Sequence, residues 1–238
     1  MRRVVLFARV LLFLAPFPLR ADALADVRAA LDHLSASAPV RARVRISRIE
    51  TEKEKPKREK KGEAVVEHGP AGLTIQLDPA WLPKGGTRAE QKREEEAIVR
   101  LAPQQALELV DPAAEIRQLL EGATVVSDGN APFEGSQVRT VVLRPVADVD
   151  DEDRKALKKY EDVVTLRLDA DGVPIALDRS LDMKFSKLLI SFTVSVRQSR
   201  RFTRVAGRLL TASASEESHG SGLGQSGGST TRWTVTPQ

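Results

Sequence analysis

The chain has no cysteine. No disulfide can constrain its unfolded state, and neither thiolate metal ligation nor thiol catalysis is open to it. Aromatic residues make up 4% of the sequence, thin for a sugar-binding surface of stacked rings and for a membrane barrel with aromatic girdles. Histidine occurs at His33, His68 and His219 alone, with no HxxxH or HxH spacing. A zinc site needs at least three protein ligands, and these would have to be scattered histidines or carboxylates. No catalytic set, metal site or cofactor site is therefore expected. A spanning helix is lacking too: Val4 to Leu19 is interrupted by Arg9 and falls short of the roughly 20 apolar residues needed.

That same stretch reads as a leader. Arg2, Arg3 and Arg9 precede or interrupt the start of an apolar run, Val10 to Phe17, and Ala21-Asp22-Ala23 places small residues at the alternate positions a signal peptidase requires. Pro16 and Pro18 break any helix before that site. Residues 1–23 are expected to be a cleavable signal peptide, with Leu24 the first mature residue. No cysteine follows the run to accept a lipid anchor, so the mature protein is expected to be exported, periplasmic and soluble. The leader contains Arg2, Arg3, Arg9, Arg20 and Asp22, so most of the formal net charge of +4 leaves with it. The near-neutral remainder gives no argument for nucleic acid as a partner.

Two periods organise the rest. Leu24, Val27, Leu31 and Leu34 recur at helical spacing, whereas Val40, Ala42, Val44 and Ile46 alternate with Arg41, Arg43, Arg45 and Ser47 as in a half-buried strand. Ile49 breaks that phase. The run 53–61 is strongly basic and reads as a solvated loop or hairpin tip, with attraction to anionic headgroups as the functional alternative. Glu63–Glu67 and Leu73–Leu77 read as two strands around Gly69-Pro70-Ala71-Gly72. A helical insertion follows at about 87–122: a charged helix from Arg88 to Leu101, a short one after Pro103, and a third announced by Asp111-Pro112 and ended by Gly122. Strands are expected at Ala123–Ser127 and Val138–Val146, with a turn at Asp128-Gly129-Asn130 between them, then a helix over Asp148–Tyr160. A meander closes the chain: Val164, Leu166 and Leu168, a turn at Asp171-Gly172, Val173, Ile175 and Leu177, then Leu188, Ile190, Phe192, Val194 and Val196. A hairpin around Ala206-Gly207, a Gly/Ser stretch over Ser213–Thr230 and a last strand at Trp233–Thr236 complete it. Short turns favour antiparallel pairing. The class is α+β, in one domain over residues 24–238.

Three short patterns imitate chemistry. Gly222-Leu-Gly224-Gln-Ser-Gly227 spells a dinucleotide fingerprint, yet no helix pattern follows to hold a pyrophosphate, so a flexible loop is expected. Ser226 between glycines imitates a nucleophile loop without an upstream histidine motif. Asp169-Ala-Asp171-Gly172 imitates part of a calcium loop, but Arg167 stands where an oxygen ligand belongs. No catalytic residue is assigned, and no enzymatic activity is expected.

What remains is an apolar surface. Leu73, Ile75, Leu77, Leu166, Leu168, Ile175, Leu177, Ile190, Phe192, Val194 and Val196 are the candidate ligand-binding residues, all on one prospective sheet face. That face is either an ordinary core under helices or a pocket partly open to a lipid chain.

The leader, the first helix feeding Val40–Ile46, the hairpin over Gly62–Leu77, the hairpin over Val163–Leu177 with its Asp171-Gly172 turn and the terminal meander resemble the LolA-like periplasmic carriers of outer-membrane lipoproteins. The LolB-like receptors and RseB-like stress regulators share that superfamily. The resemblance is a pattern of elements over most of the mature chain. It implies an unclosed antiparallel β half-barrel with helices covering its concave face, and acyl chains bound between sheet and helices. It implies a carrier or binding protein for lipoprotein acyl chains or another apolar ligand, associated at most with a membrane surface. The alternative is an interaction or stress-sensor module with an envelope protein partner. The charged segments 50–61 and 88–121 depart from the compact carriers.

Overall fold

In the computed structural model, residues 22–34, 38–52, 56–78, 87–88, 98–147, 151–187 and 190–238 are described. The leader expectation for residues 1–21 lies outside them. So does most of the charged helix expected from Arg88. The elements run α1 (Ala23–Asp32), β1 (Val40–Glu52), β2 (Arg58–Gly69), β3 (Gly72–Leu77), α2 (Pro103–Val110) and α3 (Pro112–Leu120). They continue with β4 (Thr124–Phe133), β5 (Ser136–Arg144), α4 (Asp151–Ala156), β6 (Leu157–Leu168), β7 (Pro174–Lys187), β8 (Ile190–Val205), β9 (Arg208–Gly222) and β10 (Gln225–Pro237).

All ten strands form one antiparallel sheet in the order β3-β2-β1-β10-β9-β8-β7-β6-β5-β4. The first and last strands of that order do not pair, so the sheet stays open as a half-barrel. The helices pack on its inner face, where alternation places the apolar residues. Under α1 and α3 one cluster gathers Val27, Leu31, Ile116, Leu120, Val141, Leu143, Val164, Leu166, Leu168 and Leu177. Under α2 a second gathers Val40, Val44, Ile46, Val66, Leu109, Val110, Leu210, Trp233 and Val235.

Several boundaries differ from the sequence expectation. Asp128-Gly129-Asn130 does not turn; β4 runs through it to Phe133 and the chain reverses at Glu134-Gly135. Phe133 is held at that tip because its ring lies 4.7 Å from the guanidinium of Arg167 and 4.8 Å from that of Arg201. The expected helix over Asp148–Tyr160 shortens to α4, and Leu157 already begins β6. Ile98 bridges Lys61 in parallel, and residues 99–102 are not helical, so the charged helix does not reach Leu101. At Ile49, where the broken phase points to a bulge or an end to burial, burial does end: no residue of β1 after Ile46 is buried, and the strand pairs on without a bulge through Glu50 with β2 and through Glu52 with β10. The Gly/Ser stretch is no loop: it is the paired length of β9 and β10, joined by the two-residue turn Leu223-Gly224. Asp111 does precede a helix beginning with proline, yet its side chain makes no cap bond and faces Arg208 at 3.4 Å.

Candidate ligand-binding face

Strand register divides the inner face into rows, because paired residues share a face and every second residue repeats it. One row reads Leu166, Leu177, Arg200, Ala214, Trp233 and Ile46. It lies beneath the helices and is apolar except at Arg200. The next row reads Val164, Arg179, Gln198, Glu216, Thr231 and Arg48, a belt that is polar across the five strands from β7 to β1. Beyond the belt come Asp162, Leu181, Val196, Ser218, Ser229 and Glu50, then Tyr160, Met183, Val194, Gly220, Gly227 and Glu52. Last come Leu157, Phe185, Phe192, Gly222 and Gln225.

The belt is held by ion pairs. Asp162 is buried and accepts from Arg179 Nε at 3.0 Å and Nη2 at 2.7 Å, and Tyr160 donates to it at 3.2 Å. Burial, then the charge of Asp162, pushes the Tyr160 phenol above its usual value. Gln198 donates to Glu216 at 2.8 Å. Arg200, with 7% of its side chain exposed, binds Glu115 on α3 and reaches Glu108 on α2 at 3.1 Å. Nearby, Arg208 donates to the Ala38 carbonyl at 2.7 Å and contacts His68, whose imidazole burial and the guanidinium hold below the usual value. The helices are thus fastened to the sheet by buried arginines as well as by apolar packing.

The belt separates the candidate residues. Leu166, Leu168 and Leu177 lie on the covered side and are fully packed among α1, α3 and their neighbours. Leu73 and Ile75 pack partly buried against the second cluster, and Leu77 is half-buried opposite Ala64. Ile175 is half-buried and belongs to neither cluster. Phe192, Val194 and Val196 lie on the open side, with Phe192 42% exposed. Ile190 pairs with Lys187 in the ladder, and its side chain lies outside the described residues. Leu181, Met183 and Phe185, which the sequence reading passed over, stand directly opposite Val196, Val194 and Phe192. Their period-2 spacing within β7 was the available signal.

Beside this apolar strip the floor of β9 and β10 is small. Nothing lies closer than 3.9 Å to the space a side chain would take at Gly220, whereas the Phe192 ring fills that space at Gly222. A cleft of about 470 Å³ follows, lined by Arg48, Glu50, Arg58, Val194, Ser218, Gly220 and Ser229 among others. Another of about 420 Å³ adjoins it along Phe192, Val194, Gly222 and Gln225. A larger cleft of about 710 Å³ takes most of its lining from positions that alternate with the strip: Lys159, Asp182, Lys184, Thr193, Ser195, His219, Ser221 and Ser226. There the Thr193 and Ser221 hydroxyls are 2.5 Å apart. His219 pairs with Glu217 at 2.9 Å, so the imidazole beside Ser226 is engaged elsewhere.

Asp169 accepts from the backbone of Asp171 and Val173, both at 2.9 Å, and binds Arg204, so the calcium-like residues form a turn. Among the described residues no group of three or more His, Cys, Asp or Glu side chains is placed to hold a metal ion. No described helix is long and apolar enough to cross a membrane.

No protein-family model matches the chain, and no curated protein is significantly similar to it. Among solved structures, MucB in complex with MucA(peri) aligns over 90% of this chain and 93% of that chain, with 10% identity and a TM-score of 0.20. A likeness that small carries no functional inference.

Proposed function

We propose that the protein is a non-catalytic binding or carrier protein of the bacterial envelope that seats an amphipathic apolar ligand, such as a lipoprotein acyl chain, on the open side of its inner face. The carrying observation is the pairing of an apolar strip (Leu181, Met183 and Phe185 against Val196, Val194 and Phe192) with the glycine floor at Gly220 and Gly227. Side chains supply the apolar contact and their absence supplies the space. Each methylene buried there contributes about 0.8 kcal/mol, offset by the ordering of the chain. The polar end of the ligand meets Arg48, Arg58, Ser218 and Ser229 on the neighbouring strands. The covered side serves as core, since Leu166, Leu168 and Leu177 have no free surface.

Titration with an environment-sensitive fluorescent fatty acid tests the reading. Val194→Asp is expected to weaken binding at least tenfold, roughly the loss of one buried aliphatic side chain, while Leu168→Val leaves affinity unchanged. Equal affinity in wild type and Val194→Asp would sink it. A second reading, an interaction module for an envelope protein, is favoured by the unpaired edge strand β4, where Val125 and Val126 are both exposed. The bulge between Val125 and Ser127 works against strand addition there. Native mass spectrometry separates the two: co-purified lipid supports the first, a stoichiometric protein with no lipid the second.

A further inference from the structure

The free end of the open side carries strand ends, the short helix α4 leading into β6, and the turn between β9 and β10. Beyond the last row, the turn Leu223-Gly224 joins β9 to β10 with both residues at positive φ, +52° and +77°. This two-residue geometry favours Asn-Gly, and leucine there is disfavoured by its Cβ. Leu223 is nevertheless 70% exposed, so neither backbone preference nor burial accounts for it. Phe192, whose ring covers the adjacent Gly222, adds a second exposed apolar side chain.

Cations stand at the neighbouring strand ends. Lys57 and Arg58 at the start of β2, Lys158 at the start of β6 and Lys184 near the end of β7 are exposed and make no ion pair among the described residues. Neighbouring carboxylates are engaged: Glu50 with Arg48 and Lys60, Glu59 with Lys61, Glu161 with Lys159 and Asp182 with Arg197. Among the described side chains, the charge left unpaired at these strand ends is therefore positive. Anionic headgroups over hydrocarbon are the complement of that pattern.

We propose that this end of the sheet is a docking rim for an anionic lipid surface, with Leu223 inserted among the headgroups and the four cations facing their phosphates. It goes beyond the ligand reading and shares Arg58 with it, so the test relies on Leu223, Lys158 and Lys184, which the ligand reading does not use.

Sedimentation of the purified full chain with phosphatidylcholine vesicles, with and without phosphatidylglycerol, tests it, all variants sharing one N-terminus. Binding is expected to require phosphatidylglycerol and to fall with salt. Lys158→Gln and Lys184→Gln are each expected to lower the partition coefficient roughly fivefold, the contribution of one basic residue near an anionic surface. Leu223→Asn is expected to lower it at least as much while leaving the unfolding midpoint unchanged or higher, which excludes misfolding as the cause. Wild-type partitioning by Leu223→Asn, or binding indifferent to phosphatidylglycerol, would overturn the rim. Fatty-acid titration without vesicles is expected to be unaffected by Leu223→Asn, so failure of the rim and failure of the ligand site are told apart.

Discussion

Arg200 shows how one side chain organises its surroundings. It occupies a core row between Leu177 and Ala214, and its guanidinium meets carboxylates from two helices. Arg200→Met leaves Glu108 and Glu115 without their cation, and the expected loss is about 3–5 kcal/mol, as for other broken buried pairs; urea unfolding measures it. Glu115 has the opposite balance. Burial pushes its carboxyl above the usual carboxylate range, and Arg200 opposes that without cancelling it. A group whose folded pKa is raised contributes stability that is complete below its unfolded value and is lost as pH rises through its folded value. Glu115→Gln is therefore expected to destabilise far less than Arg200→Met at neutral pH and to flatten the fall in stability as pH rises above the ordinary carboxylate range. Asp178 runs the other way. Burial raises its carboxyl, but bonds from Ser199 and Arg167 and the charges of Arg167 and Arg201 outweigh that and hold it below the usual range. Its contribution is present above its unfolded value and is lost as pH falls through the folded one.

At the scale of elements, turns and close approaches decide where strands end. Val99 N donates to Lys61 O at 3.0 Å, and a Cβ on Gly62 would collide with the Val99 carbonyl. Gly62→Ala is expected to cost about 1–3 kcal/mol by overpacking, and faster hydrogen exchange at Val99 without a matching change across β2 would locate the damage. Ala206 has φ +51° before Gly207, so Ala206→Asn is expected to raise stability by about 0.5–1 kcal/mol, read from the denaturation midpoint. These turns also show what the sequence made legible. The meander from Val164 onward was readable because one face is buried and alternation is strict, and α3 because proline and glycine mark its ends. The β4 turn was not, since Asp128-Gly129-Asn130 has turn chemistry and what extends the strand is Phe133 beneath two arginines, distant in sequence. The Gly/Ser stretch was missed because no helix covers β9 and β10 there, so no apolar period marks them and ladder hydrogen bonds carry the structure. The candidate face was half legible. Its β8 side follows from Phe192, Val194 and Val196, whereas Gln198 and Arg200, in phase with that ladder but polar, were the unread sign that a charged belt cuts the apolar surface in two.

For the whole molecule, the question is whether one open sheet with two apolar clusters unfolds as one body. Strands β8 and β9 join both clusters: Phe202 and Leu209 pack in the first, while Leu210 and Ala214 pack in the second with Val205 of β8 against it. Helices α2 and α3 cover different clusters but meet at Asp111, and Arg200 grips both. A perturbation in either cluster is thus transmitted by a shared strand pair and a shared cation. Leu143→Ala at one end of the sheet and Ile46→Ala toward the other are each expected to cost about 2–5 kcal/mol. Each is expected to quicken amide exchange in β1 and β5 by similar factors, as global unfolding requires. In an Arg200→Met background the two helices lose their common anchor, and the effect of Leu143→Ala should then be stronger in β5 than in β1. Exchange in β1 that ignores Leu143→Ala in the wild-type background would mean two independent units, and Arg200 would be a local contact instead of the bond between them.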